Sequence, residues 1–517
     1  MSAARLARGR PIVGLFVLPF MIGASLAADD VIRTSTRLVE INVLVRDKNG
    51  PVTNLEKGDF VLFDQGRRQK IAVFSADSAL TERPRKSEAT RYSFTNQPVE
   101  GASPAGITVI LLDTLNTKFE DQAYAKRQFV QFLQNANPKD RVAVYLLGNS
   151  LRVLSDFTGD IELLKRSLSE HTGAVSGSLL DSDFTKSDTG NADVDRVIDH
   201  ANAVVGEAAT SDRAAATMAA LSAIVNHVAN FPGRKNLIWL TGSVPISGLA
   251  VAKAFNKANV AVYPIDARGL IGLPGVLAAG AAGPRRVGGP PQTVFFTPGG
   301  LATMQDLADQ TGGHAFYDRN DLGNAIRMAI DDSSFTYTLG FYPDASSLNG
   351  KLHELKLQLK RPALNLRYRK WYFAARDVPA TEEETATNIQ VAMASPLESS
   401  TIPLQVEVKH EASSLKVHCV VDVHHLQLIQ RGDSWVGSVD VFVVQQDKRG
   451  KIIDGTRDTH NLQLTKEQYE SYLRFGMGLA GLIEPKEDVT TIRVLVADRS
   501  NAAVGSVIIP VSLIKGP

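Results

Sequence analysis

Gly106–Thr117, reading GITVILLDTLNT, is the stretch whose reading decides the fold. Ile107 and the run Val109 to Leu112 are apolar and rich in β-branching, with no alternation. That is the pattern of a strand buried on both faces, as in the middle of a parallel sheet. The run ends at Asp113 and a polar turn continues to Thr117. Helical spacing then starts near Phe119 and continues through Ala123, Phe129, Phe132 and Leu133. A carboxylate, an amide and a hydroxyl therefore gather where a central strand hands over to a helix. In open α/β sheets that carboxyl edge is where ligands bind.

Outward from this stretch, strands and helices keep alternating. Arg141 to Leu147 reads as the next strand, and Gly148-Asn149-Ser150 turns into Leu151 to Leu154. Ile161, Leu163, Leu164 and Leu168 mark a helix capped by Thr158 or Asp160. A longer helix starts at Asp212 and runs through Ala219, Leu221, Ile224 and Val228. The apolar strands Asn236 to Leu240 and Val260 to Ile265 are closed by Thr241-Gly242-Ser243 and Asp266-Ala267-Arg268. Leu301 to Gln310 is a helix, His314 to Tyr317 a short strand and Asp321 to Ile330 a last helix. A Gly/Ser/Asp-rich loop (172–212) and a Gly/Ala/Pro-rich insertion (Gly269 to Pro291) interrupt the series. The alternation predicts a Rossmann-like, doubly wound α/β unit over residues 103–334.

Both flanks are β-rich. Arg37 to Asp47 alternates and ends in Lys48-Asn49-Gly50-Pro51, a hairpin turn, and Phe60 to Phe63 and Lys70 to Phe74 are further strands. Thr336 to Tyr342, His353 to Leu359 and Leu366 to Phe373 repeat the pattern. Neither group alone is large enough for a sandwich. Residues 34–78 and 335–374 are therefore expected to fold together, with the α/β unit inserted between them. Residues 80–104 and 375–390 read as polar linkers, and 391–517 as a separate C-terminal β-sandwich with one helix, Lys466 to Phe475.

The chain's 517 residues exceed a single core, which implies three or four domains. A net charge of +1 gives no footing for nucleic acid. Arg5, Arg8 and Arg10 precede the apolar run Ile12 to Ala27, which ends in Ser25-Leu26-Ala27. This is the pattern of a secretory signal peptide, residues 1–27, and the run is short of the ~20 residues that span a bilayer comfortably. The expectation is an exported protein, periplasmic or secreted, with no membrane span after signal removal. Cys419 is the single cysteine, so no internal disulfide forms.

At Asp113-Thr114-Leu115-Asn116-Thr117 the chain resembles the von Willebrand factor type A (VWA) superfamily. The phrases LLDTLNT, DRVAVYLLG, LSDFTGD, GRKNLIWLTG and VAVYPIDARGL resemble its acidobacterial-type VWFA-related branch, over roughly residues 30–375. The resemblance implies a Rossmann-like fold and, usually, protein binding. Many members hold a divalent cation, Mg²⁺ or another, on Asp-x-Ser-x-Ser, a loop Thr and an Asp after the fourth strand. Such an ion takes oxygen ligands and can accept a partner's carboxylate. Here Asp113 matches and Thr117 replaces the second Ser, so these two are the metal candidates. Leu115 offers no oxygen, Gly242 stands near the Asp position, and Thr210 and Ser211 are candidates for the loop Thr. The adhesion site reads as degenerate.

Other constellations have plainer readings. Gly476 to Gly481 matches G-x-G-x-x-G without a βαβ context and reads as a glycine-rich loop. Asp181, Asp183, Asp188, Asp193 and Asp195 lack the spacing of a calcium loop. His418, Asp422 and His424 share a face of an expected strand and read as an exposed polar face rather than a zinc site. Arg431-Gly432-Asp433 reads as a turn. No local catalytic motif is present. The sequence thus points to a non-enzymatic binding or adhesion module whose Asp113, Asn116, Thr117, Thr241 and Ser243 contact a protein or polymer ligand. A periplasmic hydrolase using the same edge and a structural assembly factor of the envelope are the alternatives.

Overall fold

The computed structural model describes residues 38–48, 50–78, 92–98, 107–137, 142–158, 160–170, 211–246, 248–270, 300–332, 335–361, 364–374, 379–411 and 413–514. The expected signal peptide, Thr210, the aspartates of the 172–212 loop and nearly all of the Gly/Ala/Pro insertion lie outside them. The described chain opens with β1 (Val39–Arg46), β2 (Phe60–Asp64), β3 (Arg67–Gln69), β4 (Val73–Ser78) and β5 (Ser93–Thr95). The alternating series is β6 (Ile107–Asp113), α1 (Phe119–Gln134), β7 (Val142–Leu147), β8 (Leu151–Thr158), α2 (Ile161–Glu170) and α3 (211–228). It continues with β9 (Lys235–Thr241), α4 (Gly248–Lys257), β10 (Val260–Asp266), α5 (Leu301–Thr311) and α6 (Leu322–Asp331).

These strands form one sheet in the order β10-β9-β6-β7-β8. β6 runs parallel to both β7 and β9, and β9 parallel to β10. Every residue of β6 is buried. Successive side chains point to opposite faces, and each face has its own helical cover. Val109 and Leu111 pack with Trp239, Leu221 and Ile224; Ile110 and Leu112 pack with Phe129, Leu133 and Ile326. Register then sets the site: Asp113 ends the central strand, and Thr241 pairs with Asp266 at the ends of the next two. Two details depart from the expected sheet. β8 runs antiparallel to β7 at the edge, reached by a short turn that permits no crossover helix. The expected strand His314 to Tyr317 reduces to a single parallel bridge, Ile265 to Phe316.

β11 (Phe335–Phe341), β12 (Lys351–Leu359), β13 (Asn365–Arg367) and β14 (Trp371–Ala374) pair with the first strands of the chain. One sheet is β13-β1-β11-β4 and the other β14-β12-β2-β3. Ile41 opposes Leu339 in the first and Leu62 opposes Leu357 in the second, and all four are buried in a common core. Arg46 and Arg367 each place Nη1 2.6 Å from the fully buried carboxylate of Asp332, at the end of α6. That ion triad joins these strands to the α/β unit.

The remaining elements are α7 (Glu382–Ala394), β15 (Leu404–Glu411), β16 (Ser414–Val421), β17 (Ile429–Arg431), β18 (Ser434–Gln446), β19 (Ile452–Leu464), α8 (Lys466–Phe475), β20 (Met477–Ile483), β21 (Thr491–Asp498) and β22 (Val504–Pro510). They build the sheets β20-β16-β15-β5 and β17-β18-β21-β22, with β19 on the far side of β18. Two expectations are corrected here. Part of the first linker is strand β5, paired with β15 and pinned by Asn96, which donates to Ser399 O and Ile402 O and accepts from Leu404 N. The second linker is largely helix α7, started by a Thr381–Glu384 capping box. β19 is a strand despite an almost wholly exposed sequence, because its ladder to β18 needs no apolar face of its own. Arg431-Gly432-Asp433 is indeed a turn, with Gly432 at φ 57°.

The last β unit is docked on α3. Ser400 N donates to Asn226 O at 2.9 Å, its hydroxyl donates to His227 O at 2.7 Å, and Asn230 N donates to Ser400 Oγ at 3.2 Å. Leu397 enters the core of the α/β unit.

Candidate functional site

The five sequence-chosen residues lie together at the carboxyl edge, in a closed arrangement rather than an open one. Asp113 is 3% exposed, and Asn116, Thr117 and Thr241 are buried too; Ser243 is half-buried. Asn116 N donates to Asp113 Oδ1 at 2.9 Å and its Nδ2 to Oδ2 at 2.9 Å. Trp239 Nε1 donates to Oδ2 at 3.0 Å, and the Thr241 hydroxyl stands 2.8 Å from the same oxygen. Burial pushes the Asp113 pKa up, and the Asn116, Thr241 and Trp239 donors oppose that shift only in part.

The rest of the loop is tied in the same way. Thr117 Oγ accepts from Gly242 N at 2.8 Å, and Ser243 Oγ donates to Asn116 O at 3.3 Å. Asn116 Nδ2 also reaches Thr217 Oγ on α3 at 2.9 Å, and Thr217 in turn donates to Arg213 O. Thr217 is a member of the site that the sequence reading passed over. Its position inside a helix, one turn beyond a backbone carbonyl it can bond, gave no loop-like cue.

This geometry does not fit a divalent cation. The ion needs several free oxygens in near-octahedral array. Both Asp113 oxygens and the Thr117 hydroxyl are engaged inside the chain, and of these loop side chains Asn116 leaves one oxygen, Oδ1, without a partner among the described residues. Nor do the described residues hold any group of three or more His, Cys, Asp or Glu side chains placed for a metal. The two departures from the family motif also have structural partners. Leu115 is buried in the apolar core with Trp239 and Val244. A Cβ at position 242 would meet Asn116 O at 3.1 Å and Thr117 Cα at 3.2 Å, so any side chain there would need the loop to give by a few tenths of an ångström.

The neighbouring strand end is likewise self-contained. Asp266 is buried and takes two 2.8 Å contacts from the Arg268 guanidinium, which raise the arginine's pKa. Around this closed centre the rim is apolar and open: Phe119 and Leu270 are more than half exposed, and Tyr317 is exposed as well. They follow β6, β10 and the Phe316 bridge. The two sides of this rim touch, since Tyr124 of α1 donates to Asn320 O at 2.8 Å and Leu270 N donates to Asn320 Oδ1 at 3.0 Å.

The ion-pair contacts between Asp and His in the described residues lie elsewhere. His227 stands beside Asp156, His353 beside Asp64, and His424 and His425 beside Asp422. His424 and His425 belong to a short 3₁₀ turn, Val423–His425, rather than to the expected strand face.

No family model and no curated protein matches the sequence. Among solved structures, the chain is similar to an aerotolerance-related membrane protein from Bacteroides fragilis, at 17% identity over 44% of this chain and 98% of that one, TM-score 0.26. It is also similar to BatB from Bacteroides thetaiotaomicron, at 16% identity over 44% and 97%, TM-score 0.23. A third similar structure is a von Willebrand factor type A protein from Catenulispora acidiphila, at 10% identity over 64% and 84%, TM-score 0.26. Among the described residues no helix is long and apolar enough to cross a membrane.

Proposed function

We propose that the chain is an exported, non-enzymatic binding module of VWA type, in the VWFA-related branch, that works without a cation. The observation that carries this reading is the self-satisfied Asp113 loop ringed by exposed Phe119, Leu270 and Tyr317. A carboxylate whose lone pairs are consumed by its own chain has no affinity left for metal or partner. An apolar rim with little to cover it is instead the composition of a protein-contact patch, in which aromatic side chains dominate the energetics. Recognition of a protein or extracellular polymer therefore falls to the rim. Asp113, Asn116, Thr117 and Thr241 hold the rim in shape, and Ser243 supports them.

The test is capture from a cell-envelope extract by immobilised protein. Leu270→Asp with Tyr317→Ala should abolish specific capture and leave the melting temperature unchanged. Capture that survives this pair, or that requires added Mg²⁺, overturns the reading. A second reading, a structural assembly factor of the envelope, is favoured by the same closed loop and by the docking of residues 397–401 on α3. It would show as loss of envelope integrity in a deletion strain that the rim variant rescues.

A further inference from the structure

We propose that β20 is a dimerisation edge, which pairs antiparallel with β20 of a second copy of this chain about a two-fold axis at Ala480. The G-x-G-x-x-G run is not a loop. Gly476 closes α8 at φ 75°, and Met477–Ile483 is a strand at the end of the sheet β20-β16-β15-β5. Met477, Leu479 and Ile483 face the core, while Gly478, Ala480 and Leu482 are exposed. A ladder to β16 runs the whole length of the strand. Among the described residues no strand pairs with its other side, so alternate N–H and C=O groups there have no ladder partner. Edge strands are normally guarded by charge. β19, on another edge, carries Asp454, Arg457, Asp458 and His460, whereas β20 has no ionisable side chain.

The order of residues in β20 selects a second copy as the occupant. With the axis at Ala480, Leu482 opposes Gly478 of the second copy, Leu479 opposes its Gly481, Met477 opposes its Ile483, and Ala480 faces itself. Directly opposed residues share a face of the sheet, so large meets small on both faces. A Cβ built at Gly481 meets nothing within 4 Å, and one at Gly478 meets only the His418 ring, so the chain's own backbone fills neither position. The flanks are complementary in charge. Exposed Arg474 precedes the strand. Exposed Glu484, Glu487 and Asp488 follow it with one cation, Lys486, which lies 3.5 Å from Glu484. Antiparallel pairing sets the basic start of each strand beside the acidic end of the other, whereas parallel pairing would set Arg474 against Arg474. Phe475, 78% exposed, and Leu482, 60% exposed, are the apolar groups such a pairing covers.

The test is sedimentation velocity on the full chain from about 1 to 200 µM, a range suited to a small interface. The wild-type chain should pass from monomer to dimer as concentration rises. Ala480→Lys and Ala480→Glu each set two like charges face to face and should each stay monomeric. Mixed together, the two variants should associate as a heterodimer, since a two-fold axis at this residue opposes lysine to glutamate. Leu482→Ala should weaken association at least about tenfold, because each dimer loses two covered leucines. Leu270→Asp with Tyr317→Ala should leave association unchanged, which separates this edge from the rim. A wild-type chain that stays monomeric leaves the edge to a foreign strand or to none and overturns the proposal. So does association that survives Ala480→Lys, or a lysine and glutamate mixture that stays monomeric.

Discussion

Asp113 and Asp332 are both buried carboxylates of the α/β unit, but their charge is met by different means. Asp332 faces two guanidinium groups, Arg46 and Arg367, each 2.6 Å away. Asp113 meets only neutral donors: a backbone N–H, an amide, an indole and a hydroxyl. The first is an electrostatic joint between two parts of the chain; the second is a hydrogen-bonded knot within one loop. A knot of neutral donors leaves its carboxylate without a compensating cation, and desolvation then shows as a raised pKa. The difference explains how the position that looks most like a metal ligand can be a structural one.

The contrast breaks first at its strongest member. Asp332→Ala removes one anion and leaves two arginines facing each other, so unfolding by urea should lose roughly 3 kcal/mol, toward the lower end for broken buried pairs because both arginines are partly exposed. A loss below about 1 kcal/mol would mean that the triad is no joint.

Asp113→Ala should cost about 2 kcal/mol, since it orphans the Trp239 indole and the Asn116 backbone N–H in the interior. Asp113→Asn, which keeps the volume and one acceptor, should cost less. The pH dependence sharpens the assignment. Because the folded-state pKa lies above the unfolded value, ionised Asp113 carries a penalty at neutral pH that is relieved as pH falls through the folded pKa toward 3.8. The Asp113→Asn variant should lack that relief when melting temperatures are compared from pH 7 to pH 4.

His227 is the intermediate case. Burial alone would lower its pKa, but Asp156, 3.5 Å from Nε2, and the Glu398 carbonyl, 2.8 Å from Nδ1, outweigh burial and raise it. Its contribution is therefore present in full below the unfolded value near 6.5 and fades as pH rises through the folded value. Since Glu398 belongs to the docked segment, His227→Gln should flatten this dependence and increase proteolytic nicking near 397–401 above pH 7.

Much of this architecture was legible beforehand. Five apolar residues in β6, Ile107 and Val109 to Leu112, mark a central strand, and Thr241 and Asp266 announce the ends of its neighbours. What escaped were elements whose stability is not written in apolar periodicity. β19 rests on its ladder to β18, β5 on the three bonds of Asn96, and α7 on a capping box inside an acidic run that resembled a linker. The candidate residues come together in space, but most of them are buried where the sequence reading had them exposed. Sequence shows that Asp113 has an oxygen to offer; only the placement of Trp239, a strand away, shows that the oxygen is taken.

The smallest expected effect is also the sharpest discriminator. A site that bound Mg²⁺, Mn²⁺ or Ca²⁺ with a Kd near 1 mM would add about 1.4 kcal/mol of stability at 10 mM ion. The closed loop predicts no change in melting temperature with any of the three beyond that produced by ionic strength alone. Leu115→Ser, which returns the missing hydroxyl, should not create the response. The new hydroxyl would sit in the apolar core beside Val244 while both Asp113 oxygens stayed engaged, and Gly242 would still supply no carboxylate. Restoring the ion therefore requires opening the loop, and no single substitution at Leu115 supplies the energy to displace the Trp239 and Thr241 donors.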